Sequence, residues 1–227
     1  MRLGQHFLKS REVAWFMVEA AGLTGKERVL EIGPGRGIIT RLLAQRARKV
    51  IAVEKDRSLE PYLRELPGNV ELVWGDILKM PFPEVDAVVS NLPFYISSQL
   101  LFALPPVPAV LGLQKEFAEK MVARPGSREY GRLSVSAQLR FRIRVLRHFP
   151  PEVFSPPPKV WLSVVRLNPN RPGDWAASEE FIRRVFSYPN KKLDNALKLA
   201  GYPPSGMDKR VRELTPDEVV KLARQYS

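Results

Sequence analysis

Short apolar runs recur along the first half of the chain. Each is followed by a stretch in which apolar residues return every three or four positions. RVLEI (28–32), KVIAVE (49–54), VELVWGD (70–76), VDAVVS (85–90) and PAVLGLQ (108–114) are rich in Val, Ile and Leu, and too short for helices. They predict five buried strands. The intervening pattern predicts helices over about 37–47, 57–65, 96–104 and 115–123, and a first helix over 10–21 capped by Ser10. Strands alternating with helices at this spacing predict a mainly parallel α/β sheet with helices on both faces. Beyond residue 132 the pattern changes. LSVSAQL (133–139) predicts a short helix, and RFRIRVLRHF (140–149) alternates arginine with apolar residues, the period of a half-exposed strand. A Pro-rich turn leads to one more strand within 156–169. The remainder predicts helices near 178–187, near 191–200 and after Thr215-Pro216. Pro and Gly cluster between Asn168 and Gly173, which predicts a larger domain of residues 1–169 and a small α-helical domain of residues 170–227.

Composition narrows the possible functions. With 227 residues the chain can bury one sizeable core and a small second one. No apolar run approaches the roughly 20 residues of a membrane helix. Near the N-terminus only Val13 to Val18 is apolar and Glu19 ends it, so no secretory leader is predicted and the expected location is the cytoplasm. The absence of cysteine excludes disulfides, zinc–thiolate sites and a Cys nucleophile. With His6 and His148 as the only histidines, no metal site is expected. The net charge of +12 favours a polyanionic partner, nucleic acid or an anionic membrane surface, with nucleic acid preferred.

Three strand ends carry candidate chemistry. The first turn is Glu31-Ile32-Gly33-Pro34-Gly35-Arg36-Gly37, whose glycines let a ligand approach the backbone. They fall at every second position, unlike the dinucleotide fingerprint G-x-G-x-x-G, which counts against NAD. Glu54 ends the second strand, where a carboxylate can accept both hydrogens of a ribose diol. Asp76 ends the third, where it can receive an adenine amino group. A solvated acid or a plain tight turn is the competing reading at each position taken alone; the ordered trio suits an adenosine without a pyrophosphate, such as S-adenosylmethionine. The fourth strand runs out into Asn91-Leu92-Pro93-Phe94-Tyr95. An Asx-type turn with Phe94 in the core competes here with a site for a base taken out of its stack.

In these residues, and from end to end, the chain resembles the KsgA-type ribosomal RNA adenine dimethyltransferases, which are class I, Rossmann-like methyltransferases. The resemblance includes Gly4-Gln5-His6-Phe7-Leu8, Leu113-Gln114-Lys115-Glu116-Phe117-Ala118, Tyr130-Gly131-Arg132-Leu133-Ser134, Phe154-Ser155-Pro156-Pro157-Pro158-Lys159-Val160 and Asn195-Ala196-Leu197. It implies S-adenosylmethionine as cofactor, with His6, Leu8, Gly33, Glu54, Asp76 and Asn91 in contact with it and Gly35, Lys55 and Ile77 beside them. It implies dimethylation of N6 on adjacent adenosines near the 3′ end of small-subunit ribosomal RNA, a role in small-subunit biogenesis, and a small domain that helps grip the subunit. The chain departs from the family where Phe94 replaces the usual Tyr and Tyr95 a frequent Asn.

The chemistry of the fourth strand end follows from the substrate. The adenine N6 lone pair is delocalised into the ring, so the amine is a poor nucleophile. Acceptors at the Asn91 side chain and the Leu92 carbonyl would favour a more tetrahedral nitrogen, Pro93 would fix the direction of that carbonyl, and Phe94 would stack on the base. Arg140, Arg142 and Arg144 are expected on one face of a strand. Arg124, Arg128 and Arg132 belong to a basic loop whose glycines allow movement, and Lys191 and Lys192 to a C-terminal helix. All of these are candidate phosphate contacts, against the plainer reading of a charged edge strand and solvated faces. A monomer is expected. A DNA adenine methyltransferase would need a larger target-recognition domain than this tail, and a dehydrogenase the other glycine spacing. A non-catalytic RNA-binding assembly factor would have little use for Asn91 with the glycines intact.

Overall fold

The computed structural model describes residues 6–170 and 174–226. Gly4, Gln5 and Gly173, used above, lie outside them. In chain order the elements are β1 (Phe7–Leu8), α1 (Arg11–Ala21), β2 (Arg28–Ile32), α2 (Ile38–Leu43), β3 (Lys49–Glu54), α3 (Glu60–Leu63), β4 (Val70–Trp74), β5 (Ala87–Asn91), α4 (Ser97–Ala103), β6 (Ala109–Gln114) and α5 (Lys115–Met121). They continue with α6 (Arg132–Arg140), β7 (Phe141–Phe149), β8 (Phe154–Ser155), β9 (Leu162–Pro169), α7 (Asp174–Val185), α8 (Leu193–Ala200) and α9 (Pro216–Gln225). By contacts the chain parts into two compact units, 1–118 with 144–168 and 119–143 with 169–227. No helix among the described residues is long and apolar enough to cross a membrane.

A seven-stranded sheet with the order β4-β3-β2-β5-β6-β9-β7 forms the first unit's frame. β4 through β6 run parallel, and β9 lies antiparallel to β6. The near-continuous apolar runs of β2, β3, β5 and β6 fit strands covered on both sides. α1 begins at Ser10, whose hydroxyl accepts the Val13 N–H at 3.3 Å, and ends at Gly22 with φ 64°. It buries Val13, Ala14, Met17 and Val18 in a core shared with Val29, Val50, Val89 and Val110. β1 pairs with β8, Phe7 opposite Ser155 and Leu8 opposite Phe154.

The second unit packs α6, α7, α8 and α9 around Val135, Leu139, Phe181, Ile182, Val185, Leu193, Leu197 and Val219. Residues 119–143 belong here, whereas a cut at 169–170 would leave them in the larger domain. The apolar face of α6 is the cause, because it lies against α7 and α9. The basic loop is also fixed more firmly than its glycines suggest. Tyr130 is buried with its ring 6.3 Å from that of Phe186, and the Gly126 N–H donates to the Arg212 carbonyl at 2.7 Å.

Three local expectations change. The stretch 57–65 is a 3₁₀ turn, Arg57–Leu59, capped by Asp56, followed by one α-turn. Lys191 and Lys192 precede α8, because Lys192 bridges to Arg210 and the Leu193 N–H donates to the Lys209 carbonyl, which hold the chain extended there. Arg140 is not on the strand. It ends α6, is buried, and lies with its guanidinium 4.3 Å from the Trp175 ring centroid and 5.3 Å from that of Phe141. Burial pulls its pKa down, and the charge of Glu179 opposes this. Arg140→Ala is therefore expected to destabilise the protein by about 1–3 kcal/mol, through the lost aromatic contacts and the buried stem. Urea unfolding checks this; unchanged stability would mean that the aromatic contacts of Arg140 contribute nothing to the fold.

Candidate active site

The site stands at the carboxyl ends of β2, β3, β4 and β5. β2 and β5 pair at Val29–Ala87 and Leu30–Val88. Farther along, the Ser90 hydroxyl donates to the Ile32 carbonyl at 2.5 Å, so a side chain satisfies an acceptor the ladder does not reach. Ligands of open α/β sheets bind in a crevice of this kind, where the strand order reverses. The glycine turn lies on one side. Gly33, Gly35 and Gly37 all have positive φ. A Cβ on Gly33 would approach the Pro93 ring at 3.5 Å, and one on Gly35 would meet Phe7 at 3.3 Å.

Glu54 ends β3, buried at 7% exposure. Its two oxygens accept the N–H groups of Gly35 at 3.2 Å and Asp56 at 2.8 Å, which binds the glycine turn to the turn after β3. Burial raises its pKa and those N–H groups oppose the rise. Asp76 follows β4. Lys55 Nζ lies 2.8 Å from one of its oxygens and the Leu78 N–H donates to the other at 3.2 Å; the Lys55 bond holds its carboxyl below the usual range. Ile77 beside it is buried. Lys55, expected at the cofactor, is thus placed to orient Asp76.

Asn91 ends β5 opposite Gly112 of β6, and its Oδ1 is buried with no hydrogen-bond partner among the described residues. The Leu92 N–H donates to the Gly112 carbonyl at 3.1 Å, which fixes the chain as it leaves the sheet. Pro93 leads into a 3₁₀ turn, Phe94–Ile96, and its carbonyl accepts the Ile96 N–H at 3.1 Å. The Phe94 ring is half-buried, 6.0 Å from Phe154 edge-on and 6.3 Å from His6. His6 Nδ1 lies 2.8 Å from the Pro156 carbonyl, and Leu8 is buried in β1. His6, Leu8, Gly33, Gly35, Glu54, Asp76, Ile77 and Asn91 thus lie on strand ends or on the segments packed against them.

Several contributors escaped the sequence reading. The Arg36 guanidinium lies between Phe7 and Tyr62, 4.7 and 5.1 Å from their ring centroids, so the N-terminal segment is held onto the glycine turn. Arginine within a glycine turn, with aromatics ahead of it and behind it in sequence, gives no periodic signal. Phe154 faces Phe94 through the β1–β8 pairing, which spans most of the chain. Glu31 is the third. It was legible as the first letter of the motif, but its burial was not: it is 1% exposed, and its Oε2 has no partner. Burial pushes its pKa up to about 8; the Thr40 side chain opposes this and the charge of Glu54 adds to it. The Glu54 carboxyl, tied to the glycine turn, suits a ligand that carries a diol.

Of the predicted basic residues, Arg124, Arg128, Arg132, Arg142, Arg144, Lys191 and Lys192 are exposed. Arg142 and Arg144 alternate on β7, and Lys192 pairs with Asp208 at 2.8 Å.

The raised pKa of Glu31 has a stability consequence. Below the ordinary value of 4.5 both folded and unfolded forms are protonated. Between 4.5 and about 8 only the unfolded form ionises, so wild type loses about 1.4 kcal/mol per pH unit relative to a neutral isostere. Glu31→Gln should therefore gain on wild type in urea unfolding as pH rises from 5 to 8. A constant gap would mean that Glu31 is already ionised.

Comparison with known proteins adds an independent line. Residues 1–225 match the family model described as ribosomal RNA adenine dimethylase. The probable ribosomal RNA small subunit methyltransferase A of Pyrobaculum islandicum is 42% identical over 99% of this chain and 94% of its own. The ribosomal RNA small subunit methyltransferase A of Acidobacterium capsulatum is 40% identical over 91% and 80%. Among solved structures, a dimethyladenosine transferase from Plasmodium falciparum is similar at TM-score 0.83 and 28% identity over 96% of both chains. The 23S rRNA methyltransferase ErmE is similar at TM-score 0.69 and 29% identity over 97% and 99%. With the sheet order, these neighbours identify the fold as that of the class I methyltransferases.

Proposed function

The chain belongs to the ribosomal RNA adenine dimethylase family, and from that premise we propose that it dimethylates adenine N6 in small-subunit ribosomal RNA, on adjacent adenosines near the 3′ end. S-adenosylmethionine is the methyl donor and the maturing small subunit the partner; the protein acts as a cytoplasmic monomer. The buried, unpartnered Oδ1 of Asn91 at the end of β5 carries this reading. A buried acceptor left unmatched costs stability, and an amine donor is the group that would satisfy it.

The cofactor, when bound, supplies a methyl group on a positively charged sulfur. Gly33 and Gly35 leave room for it, Glu54 takes the ribose hydroxyls, and Asp76, kept ionised by Lys55, takes the adenine amino group beside Ile77. His6 and Leu8 close the N-terminal side. On the substrate side, Asn91 Oδ1 and the Leu92 carbonyl accept the two N6 hydrogens and draw the nitrogen lone pair out of conjugation. Phe94 stacks on the base. The alkylated nitrogen is acidic enough to lose its proton to water, so no protein base is required. Catalysis then rests on in-line positioning and on fixed acceptors. Arg124, Arg128, Arg132, Arg142, Arg144, Lys191 and Lys192 meet phosphates and set affinity without reading sequence.

Asn91→Ala should lower the single-turnover rate of methyl transfer to unmethylated small subunits by one hundredfold or more, about 2.7 kcal/mol or above, a loss of the size seen when one fixed transition-state partner is removed. Binding of the subunit should change little. Near-normal transfer would mean that another acceptor positions the amine.

Arg142→Ala with Arg144→Ala should flatten the slope of log affinity against log salt by about 1.4–1.8, taking 0.7–0.9 per phosphate contact. Equal slopes would make this pair a solvated strand face.

A further inference from the structure

Trp161 is 48% exposed, one of the few large apolar side chains left in water. It directly precedes Leu162, which pairs with Gln114 at the carboxyl end of β6. Asn91 stands at the same end of the sheet, paired with Gly112 of the same strand. The Trp161 carbonyl accepts the Lys115 N–H at 2.9 Å, and Lys115 Nζ lies 5.8 Å from the indole centroid. Lys159, two residues earlier, is exposed. The loop that carries these groups is stiff. Pro156, Pro157 and Pro158 limit its backbone, and its two ends are held by the bond between His6 and the Pro156 carbonyl and by the Lys115–Trp161 bond. None of these side chains has a part in the site described above.

An indole half in water, with the Lys115 ammonium over its ring and the exposed Lys159 two residues before it in the same loop, has the chemistry that single-stranded nucleic acid takes: a face for a base and positive charge for the phosphate next to it. A rigid loop adds to this, because little conformational freedom is lost on binding. We propose that Trp161, with Lys115 and Lys159, is a stacking ledge for a nucleotide flanking the target adenosine. The inference rests on the RNA-methylating reading above. The target base has to leave its stack to reach Asn91, and the ledge gives its displaced neighbour a surface that replaces the lost stacking.

The test is a cycle of two changes. Short single-stranded RNAs with one adenosine target are made with an ordinary or an abasic nucleotide at each neighbouring position, and with 2-aminopurine there as a stacking probe. Wild type, Trp161→Ala, Trp161→Phe and Lys115→Ala are titrated at low salt. For wild type, loss of the base at one neighbouring position should weaken binding by about five- to a hundredfold, the range for one stacked base. The 2-aminopurine there should be quenched. Trp161→Ala should bind both RNAs at the weaker level, and Trp161→Phe should keep most of the difference. Lys115→Ala should weaken both RNAs alike. Affinity for S-adenosylmethionine should stay at the wild-type value in Trp161→Ala. A wild type indifferent to the missing base at both positions overturns the ledge, and so does a Trp161→Ala protein that still discriminates. Should Trp161→Ala not fold, the base-removal comparison on wild type and the phenylalanine variant still decides. If wild type quenches and discriminates on these RNAs but transfers no methyl group to unmethylated small subunits, the ledge stands and the proposed reaction fails.

Discussion

The site depends on where two parallel strands stop pairing. β2 and β5 are neighbours in space although two strands separate them in the chain, and their ladder ends at Leu30 and Val88. Had it continued, the glycine turn and the Asn91 turn would have had no crevice between them. The Ser90 hydroxyl makes the gap tolerable by taking up the Ile32 carbonyl inside the protein. A side chain can do this without bringing the two backbones together. Pro93 stands at ordinary van der Waals distance from where a Cβ on Gly33 would lie, and the positive φ of that residue is what calls for glycine.

Around this gap the acidic groups occupy quite different environments. Asp76 is held ionised by Lys55 near solvent. Glu54 is buried but receives two backbone N–H groups, and Glu31 is fully buried with only the Thr40 side chain to oppose the effect of burial. The gradient runs from the rim inward. The more deeply buried carboxyl is the less well compensated one, so the unsatisfied polarity lies on Glu31. Pre-organisation of this sort costs folding stability and favours a ligand that brings the missing partner.

Most of the frame was legible in the sequence because parallel strands buried on both faces leave continuous apolar runs, and because Gly, Glu, Asp and Asn each stand where such a run ends. What was not legible depends on contacts distant in sequence. The alternation in RFRIRVLRHF extends one residue too far to the left, since Arg140 obeys the end of α6 and the Trp175 ring and not the strand's period. Lys191 and Lys192 fit a helical pattern, but a bridge to Arg210 keeps them out of the helix. The two-residue strands β1 and β8 have no periodicity to read, although they bring His6 and Phe154 to Phe94. The burial of Glu31 was hidden for the same reason: a letter in a motif does not state how much water reaches it.

The second unit is assembled from two separate stretches of chain, 119–143 and 169–227. That has a consequence for the order of events during synthesis. The apolar faces of Val135 and Leu139 leave the ribosome before Phe181, Ile182 and Val219 exist to cover them. At roughly 5–20 residues per second the delay is on the order of several seconds, long compared with the microseconds in which a helix forms. The nascent chain thus carries the uncovered α6 segment while β7 and β9 are still being added, and its last helices complete a core that was begun much earlier.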